Sequence, residues 1–146
     1  LYLGVSVTDD VFVSTKSGGS IWSQDSLQML IDPLRASTAK TGSYDISLGL
    51  GIKGHQAWCH STAHPSVIAG EITDMKIATR RGEAGSIDYE VAIPWTRLAP
   101  FKPAPGANLG LGLIVNDDDG NGRKFMGWFS GVHLKEMDML GDLILL

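Results

Sequence analysis

The residue with the clearest chemical use in this chain is Trp22. It sits in a glycine- and serine-rich stretch, Gly18-Gly19-Ser20-Ile21-Trp22-Ser23, just ahead of a run that alternates apolar and polar residues. A large ring on a loop is harder to explain as core than one inside a strand. Two uses compete for it: a plug folded over the edge of the fold, or a flat platform for a ligand with an apolar face. Sugars are such ligands, because their axial C–H groups lie on a ring while their hydroxyls reach polar neighbours. Gln24, Asp25 and Gln28 are the polar neighbours in sequence. A sugar face burying about 100 Å² on the indole gains roughly 2–3 kcal/mol. Lost translational and rotational freedom opposes this, so one platform implies affinity nearer mM than µM.

A second constellation reads Asp117-x-Asp119-x-Asn121-Gly122, the first half of an EF-hand calcium loop. The twelfth position is Trp128 rather than a glutamate, and no helix pattern flanks it, so an EF-hand is rejected. Two readings remain: an acidic β-turn, in which Asp and Asn tolerate left-handed backbone, or a hard-cation site for calcium on Asp117, Asp119 and Asn121. His55, His60, His64 and His133 lack a zinc spacing and are expected in solvent-facing loops. No G-x-S-x-G motif occurs. Asp88 and Glu90 read as a solvated strand face rather than a glycosidase pair.

The elements that must position these residues are strands. Leu1–Val7, Ser26–Ile31, Tyr44–Leu50, Ser86–Ile93 and Leu109–Val115 alternate with period two. Met75–Thr79 and Ser86–Ile93 form a predicted hairpin around Arg81-Gly82-Glu83. Gln56–Ser61, Lys124–Phe129 and Leu143–Leu146 complete the strands, and Trp95–Leu98 is one helical turn. Leu34–Gly42 is a polar loop with weak helical character. Gly110 and Gly112 allow close backbone approach to their strand. About eight strands and no long helix give an all-β fold, an antiparallel β-sandwich or jelly roll.

The 146 residues suffice for one domain, 1–146, with a real core. The net charge of −4 is dispersed, with no basic run, which argues against nucleic acid. No apolar run reaches membrane-spanning length, so no membrane partner is expected. Cys59 is the only cysteine, so an internal disulfide is impossible; this leaves the compartment open. The chain opens directly in a strand without an initiator Met, and is expected to be a mature fragment or a domain of a larger protein.

Four segments, in order, resemble family 9 carbohydrate-binding modules: YLGVSVTDDV, IWSQDSLQMLID, the pair IDYEVAIPW and LGLIVNDDDGNGR, and the closing W…GDLIL. The resemblance implies an all-β sandwich that is non-catalytic and appended to a secreted polysaccharide-degrading enzyme. It implies a grip on sugar chain ends between two tryptophans, with calcium bound elsewhere. The expected partners are therefore a polysaccharide or oligosaccharide and the other domains of a multidomain enzyme, in a secreted or periplasmic setting. Members usually begin some strands earlier, which implies that the fold lacks its N-terminal strands and that Leu1–Val7 lacks a neighbour.

Carried over residue by residue, Trp22 matches the first clamping tryptophan. The family's glutamate on the next strand falls at Gln28, and its sugar-contacting arginine and asparagine fall near Asp45 and Ser47. A glutamine falls at Ile114. The second clamping tryptophan belongs in the loop after Trp128, which reads FSGVHLKEMDML and holds none; Phe129 or His133 are the stand-ins. Trp128 itself matches a tryptophan expected to be structural. Two alternatives stay open. Related sandwich domains bind haem b through Met with His or Lys, for which Met29, Met75, Met126, Met137 or Met139 with His133 or His60 are candidates; core methionine is the commoner use. The other is a structural accessory domain that has lost sugar binding.

Overall fold

The computed structural model describes residues 1–35 and 42–146. Its strands are β1 (Tyr2–Thr8), β2 (Ser26–Asp32), β3 (Tyr44–Gly51), β4 (Gly54–Ser61), β5 (Gly70–Glu71), β6 (Lys76–Arg81), β7 (Ser86–Ala92), β8 (Asn108–Asp117), β9 (Lys124–Trp128) and β10 (Gly141–Ile144). One short helix, α1 (Gly131–Leu134), and single 3-10 turns at Gly18–Ser23, Glu83–Gly85, Trp95–Leu98 and Met137–Met139 connect them. The expected hairpin and the turn after Pro94 are both present. Most of the segment with weak helical character lies outside the described residues.

Two antiparallel sheets face each other. The smaller has the order β1-β7-β6, and the larger β10-β8-β2-β3-β4-β5. β8 is ten residues long, so one of its edges serves two partners: β10 pairs with its first half and β9 with its second. β1 pairs with β7 along its whole length and has no second neighbour among the described residues.

Strand alternation makes the core. Leu27, Met29 and Ile31 align across the ladder with Tyr44, Ile46 and Leu48. They meet Ile87, Tyr89 and Val91 of the smaller sheet in one buried cluster with Leu109 and Leu111. Each such side chain contributes roughly 1.5–3 kcal/mol by leaving water. The methionines Met29 and Met75 belong to this cluster, while Met126 and Met139 are exposed.

The outer face of the larger sheet departs from the simple alternating reading, because β2 is buried on both sides. Leu30 and Ile114 point away from the main core and form a second cluster with Val132, Met137 and Leu140. Val132 comes from α1, Met137 from the turn Met137–Met139 and Leu140 from the residue after it, all in the segment after Trp128. Gly112 makes this roof possible: a Cβ there would lie 2.5 Å from Val132 Cγ2 and 2.8 Å from Leu140 Cδ2. Lys135 adopts φ 58°, the left-handed conformation that ends a helix. The roof covers only part of the sheet, and the uncovered part holds the site.

Candidate functional site

Trp22 is presented by the 3-10 turn Gly18–Ser23, which lies over the outer face of the larger sheet. Ile21 is fully buried and anchors the turn. Gly18, at φ 59°, and Gly19 fit against Trp58; a Cβ on Gly19 would come within 3.2 Å of Trp58 Nε1. The next two residues fasten the turn to the backbone. Gln24 Oε1 accepts the Thr15 N–H at 2.9 Å, and its Nε2 donates to the Leu50 carbonyl at 3.0 Å. Asp25 accepts N–H groups from Val13 and, at 2.8 Å, from Asp118. Trp22 is left outside, 40 % exposed.

This placement corrects the expectation for Gln24 and Asp25. Both are essentially inaccessible, at 0 % and 1 % exposure. Their polar groups are spent on backbone donors and acceptors, so they hold Trp22 in place rather than flank a ligand on it.

Beneath Trp22 opens a cavity of about 300 Å³, at the small end of ligand-binding clefts. Its polar floor is built on three adjacent strands: Gln28 on β2, Asp45 on β3 and His60 on β4. Asp45 is held at both oxygens. Gln28 Nε2 donates to Oδ1 at 2.7 Å, and Lys135 Nζ donates to Oδ2 at 2.6 Å. The resemblance puts an acid at Gln28 and a cation near Asp45. Here the acid stands on β3, and the cation arrives from the end of α1. An opposite-charge pair is thus kept with its carriers moved.

His60 accepts or donates a hydrogen bond with Ser47 Oγ at 3.0 Å, and burial holds its pKa below the usual histidine value. It stands on a strand and is half-buried, so the expectation that it lies in a solvent-facing loop is wrong. A serine and histidine in contact beside an aspartate invite comparison with a hydrolase. Ser47 is 0 % exposed, however, and Asp45 is committed to Gln28 and Lys135 rather than to His60. A nucleophile sealed from substrate performs no acyl transfer. Ser47 orients His60 and does not reach the cavity itself.

The far rim is a row of flat groups. The Arg123 guanidinium carbon lies 5.1 Å from the Trp22 ring centre and 4.8 Å from that of Phe125, and Phe125 in turn lies 4.7 Å from His133. Such cation–π contacts are worth about 0.5–1 kcal/mol at exposed sites. Phe129, the other expected stand-in, is elsewhere: it packs on Trp128 at 4.6 Å and fills the space beside Gly141. Register and strand end explain the difference. Phe125 pairs with Asn116 on the outer face, Trp128 pairs with Leu113, which packs against the main core, and Phe129 lies beyond the strand at φ 66°. Trp128 is 53 % exposed, more than a structural tryptophan is expected to be. No methionine lines the cavity that holds His60 and His133, so the Met–His pair required by the haem alternative is not assembled there.

The acidic turn is centred on a residue the spacing argument passed over. Asp118 Oδ1 accepts the N–H groups of Gly120 and Gly122 at 3.1 and 3.2 Å. Asp117 groups with Asp9 and Asp25, and Asp119 with Asp9 and Asp10, each set within 4.8 Å, while Asn121 is exposed. Burial, with Asp9 and Asp117 nearby, pushes Asp25 up to about 6, and burial with Asp119 and Asp9 raises Asp117. Asp119 Oδ1 is buried with no hydrogen-bond partner. Crowded oxygen donors of this kind, one of them orphaned, fit a hard divalent cation.

Comparison with known proteins places these observations. The profile of the family described as "Carbohydrate family 9 binding domain-like" matches residues 1–145. A family 9 carbohydrate binding module from Caldicellulosiruptor kristjanssonii, solved with cellotriose, superposes with a TM-score of 0.71 at 18% identity, covering 99% of this chain and 68% of that one. The structure of such a module from the same organism with glucose gives 0.70 at 18% identity, covering 99% and 70%. No curated protein matches the chain.

Proposed function

The chain belongs to the carbohydrate family 9 binding domain-like family, and from that premise we propose that it is a non-catalytic module which binds a sugar chain in the cavity beneath Trp22. The observation that carries this reading is the exposed indole standing over a floor of paired polar groups. Trp22 offers an apolar face for sugar C–H groups. Gln28, the Asp45 carboxylate and the Lys135 ammonium offer hydroxyl partners whose charge strengthens each hydrogen bond. The floor is pre-paired, so binding a sugar orders few new side chains. His133, backed by Phe125, forms the opposite wall in place of a second tryptophan. Cello-oligosaccharides are the natural first ligands, since the related modules were solved with cellotriose and glucose.

In this reading the module tethers an attached polysaccharide-degrading enzyme to its substrate, outside the cell or in the periplasm. Asp9, Asp25, Asp117 and Asp119 hold calcium as a structural ion, which neutralises their mutual repulsion and fixes the loops that carry Gln24 and Asp118. Affinity electrophoresis in gels containing soluble β-glucan, xylan, mannan or pectin tests the binding function. Retardation by at least one of them, matched by calorimetric heat with a corresponding oligosaccharide, is expected. No retardation in any gel and no heat with cellotriose or glucose at mM concentration contradicts it, leaving a structural accessory domain.

A further inference from the structure

Arg123 is the one cation in the cavity that no carboxylate neutralises among the described residues. Lys135 is paired with Asp45, whereas no acidic side chain lies within ion-pair distance of Arg123. Its position is nevertheless fixed. Nε donates to Asn116 Oδ1 at 2.7 Å, and Asn116, itself 2 % exposed, donates to Ser26 Oγ at 3.0 Å. Its planar face rests on Trp22 and Phe125. Nε and the ring contacts are thereby used, and the terminal N–H groups make no hydrogen bond among the described residues. A guanidinium anchored in this way presents a fork of in-plane donors, which matches a planar carboxylate at two points. The setting makes this notable, because the chain as a whole carries a net charge of −4. A local positive excess in an acidic protein does not attract anions in general; it acts only on a group that enters the cavity.

We propose that Arg123 makes this cavity selective for a carboxylated sugar. The ligand is a uronic acid residue whose ring lies against the Trp22 platform and whose carboxylate takes the terminal N–H groups of Arg123. The inference rests on the sugar-binding reading of the same cavity and sharpens it from sugars in general to acidic ones. The Asn116–Ser26 relay positions the guanidinium. The Asp45–Lys135 pair, being neutral as a unit, serves the ring hydroxyls. A single free positive charge suits a single carboxylate.

The test is calorimetric titration of the whole chain with three matched probes: an oligogalacturonide or glucuronate-bearing oligosaccharide, the methyl ester of the same compound, and its neutral parent. The ester keeps the shape and removes the charge. The free acid is expected to bind roughly tenfold or more tighter than the ester, the scale of one charge-assisted contact, and the gap narrows as salt is raised. Arg123→Gln erases the gap, so that acid and ester bind with the same affinity whatever the variant does to the neutral parent. Arg123→Lys, which keeps the charge without the fork, retains part of it. Equal binding of acid and ester, or a preference that survives Arg123→Gln, overturns the proposal while neutral-sugar binding leaves the module's function intact. A sulfated analogue that binds more tightly than the uronate overturns the choice of carboxylate. Failure of every sugar to bind removes the function itself and this inference with it.

Discussion

The cavity and the acidic turn stand on opposite sides of the same two strands, β2 and β8, and they handle buried charge in opposite ways. In the cavity the one buried carboxylate, Asp45, has both oxygens satisfied and a cation at 2.6 Å. At the turn, five aspartates crowd into two overlapping sets, and among the described residues the one ion pair to any of them is Lys124 to Asp119 at 3.4 Å, while Lys16 lies 3.9 Å from the neighbouring Asp118. Burial moves a group toward its neutral form in both places: His60 downward in the cavity, Asp25 upward at the turn. The cavity is electrostatically complete and has a cation to spare. The turn has one buried carboxylate oxygen, Asp119 Oδ1, without a partner among the described residues. On the proposed function, the first region receives a ligand and the second is stabilised by an ion.

The largest expected effect breaks the turn's side of this contrast. Calcium at about one hundred times its dissociation constant stabilises the fold by roughly 2.7 kcal/mol if it binds only the native state. For a chain of this size that raises the melting temperature by about 5–10 °C over the value in chelator. Asp9→Asn, which touches both carboxylate sets, shrinks the gain. Identical melting curves with calcium and with chelator mean that the backbone donors alone satisfy these carboxylates.

A smaller effect tests the cavity's own pairing. Lys135→Met leaves Asp45 with Gln28 as its side-chain partner among the described residues and removes a donor from the floor. Sugar affinity falls by about tenfold, or about 1.4 kcal/mol. Lys135 is too exposed for the ion pair to add much to stability, so the melting temperature drops by no more than a few degrees. Unchanged affinity with a large loss of stability would make the pair purely structural.

The next effect is a pH dependence. With its folded pKa held below the unfolded value of about 6.5, His60 is charged more readily in the unfolded chain. Its contribution is therefore fully present above about pH 6.5 and is lost as pH falls through the window down to the folded pKa. NMR titration of the imidazole shows the lowered midpoint, and Ser47→Ala alters ring orientation without moving the main cause, burial. A midpoint at or above 6.5 contradicts a pKa lowered by burial at His60. The smallest effect is a null control. Phe129→Ala leaves sugar affinity unchanged, because Phe129 packs on Trp128 and touches no cavity residue by its ring, whereas Phe125→Ala weakens it by removing the ring that supports His133 and Arg123.

The two regions also differ in how well the sequence foretells them. The alternating strands, their pairing into a sandwich and the exposure of Trp22 are local properties, carried by period-two patterning and by a glycine-rich turn. Gln28 is found because it lies near Trp22 in sequence, and Asp45 through the family resemblance. Lys135 is not: it reaches Asp45 across 90 positions of sequence, from a helical turn that the loop FSGVHLKEMDML does not advertise. Arg123 and Phe125 follow the same rule, since only the β8–β9 register turns Phe125 outward and Trp128 away. Gln24 and Asp25 mislead for the converse reason: polar residues next to an exposed ring look like ligand contacts, but a turn needs its own backbone satisfied first. At the acidic turn the composition is legible, while the contribution of Asp9 and Asp25 to it depends on how distant loops converge.

The account rests on Trp22 being a ligand platform, and one measurement addresses that directly. Calorimetric titration of the Trp22→Ala variant with the oligosaccharide that the unmodified chain binds, run beside thermal unfolding of both, separates a platform from a plug. The prediction is that the heat of binding disappears while the melting temperature stays within a few degrees, since the indole is 40 % exposed and the turn is anchored by Ile21, Gln24 and Asp25. Undiminished binding, or collapse of the fold on losing the indole, would contradict it.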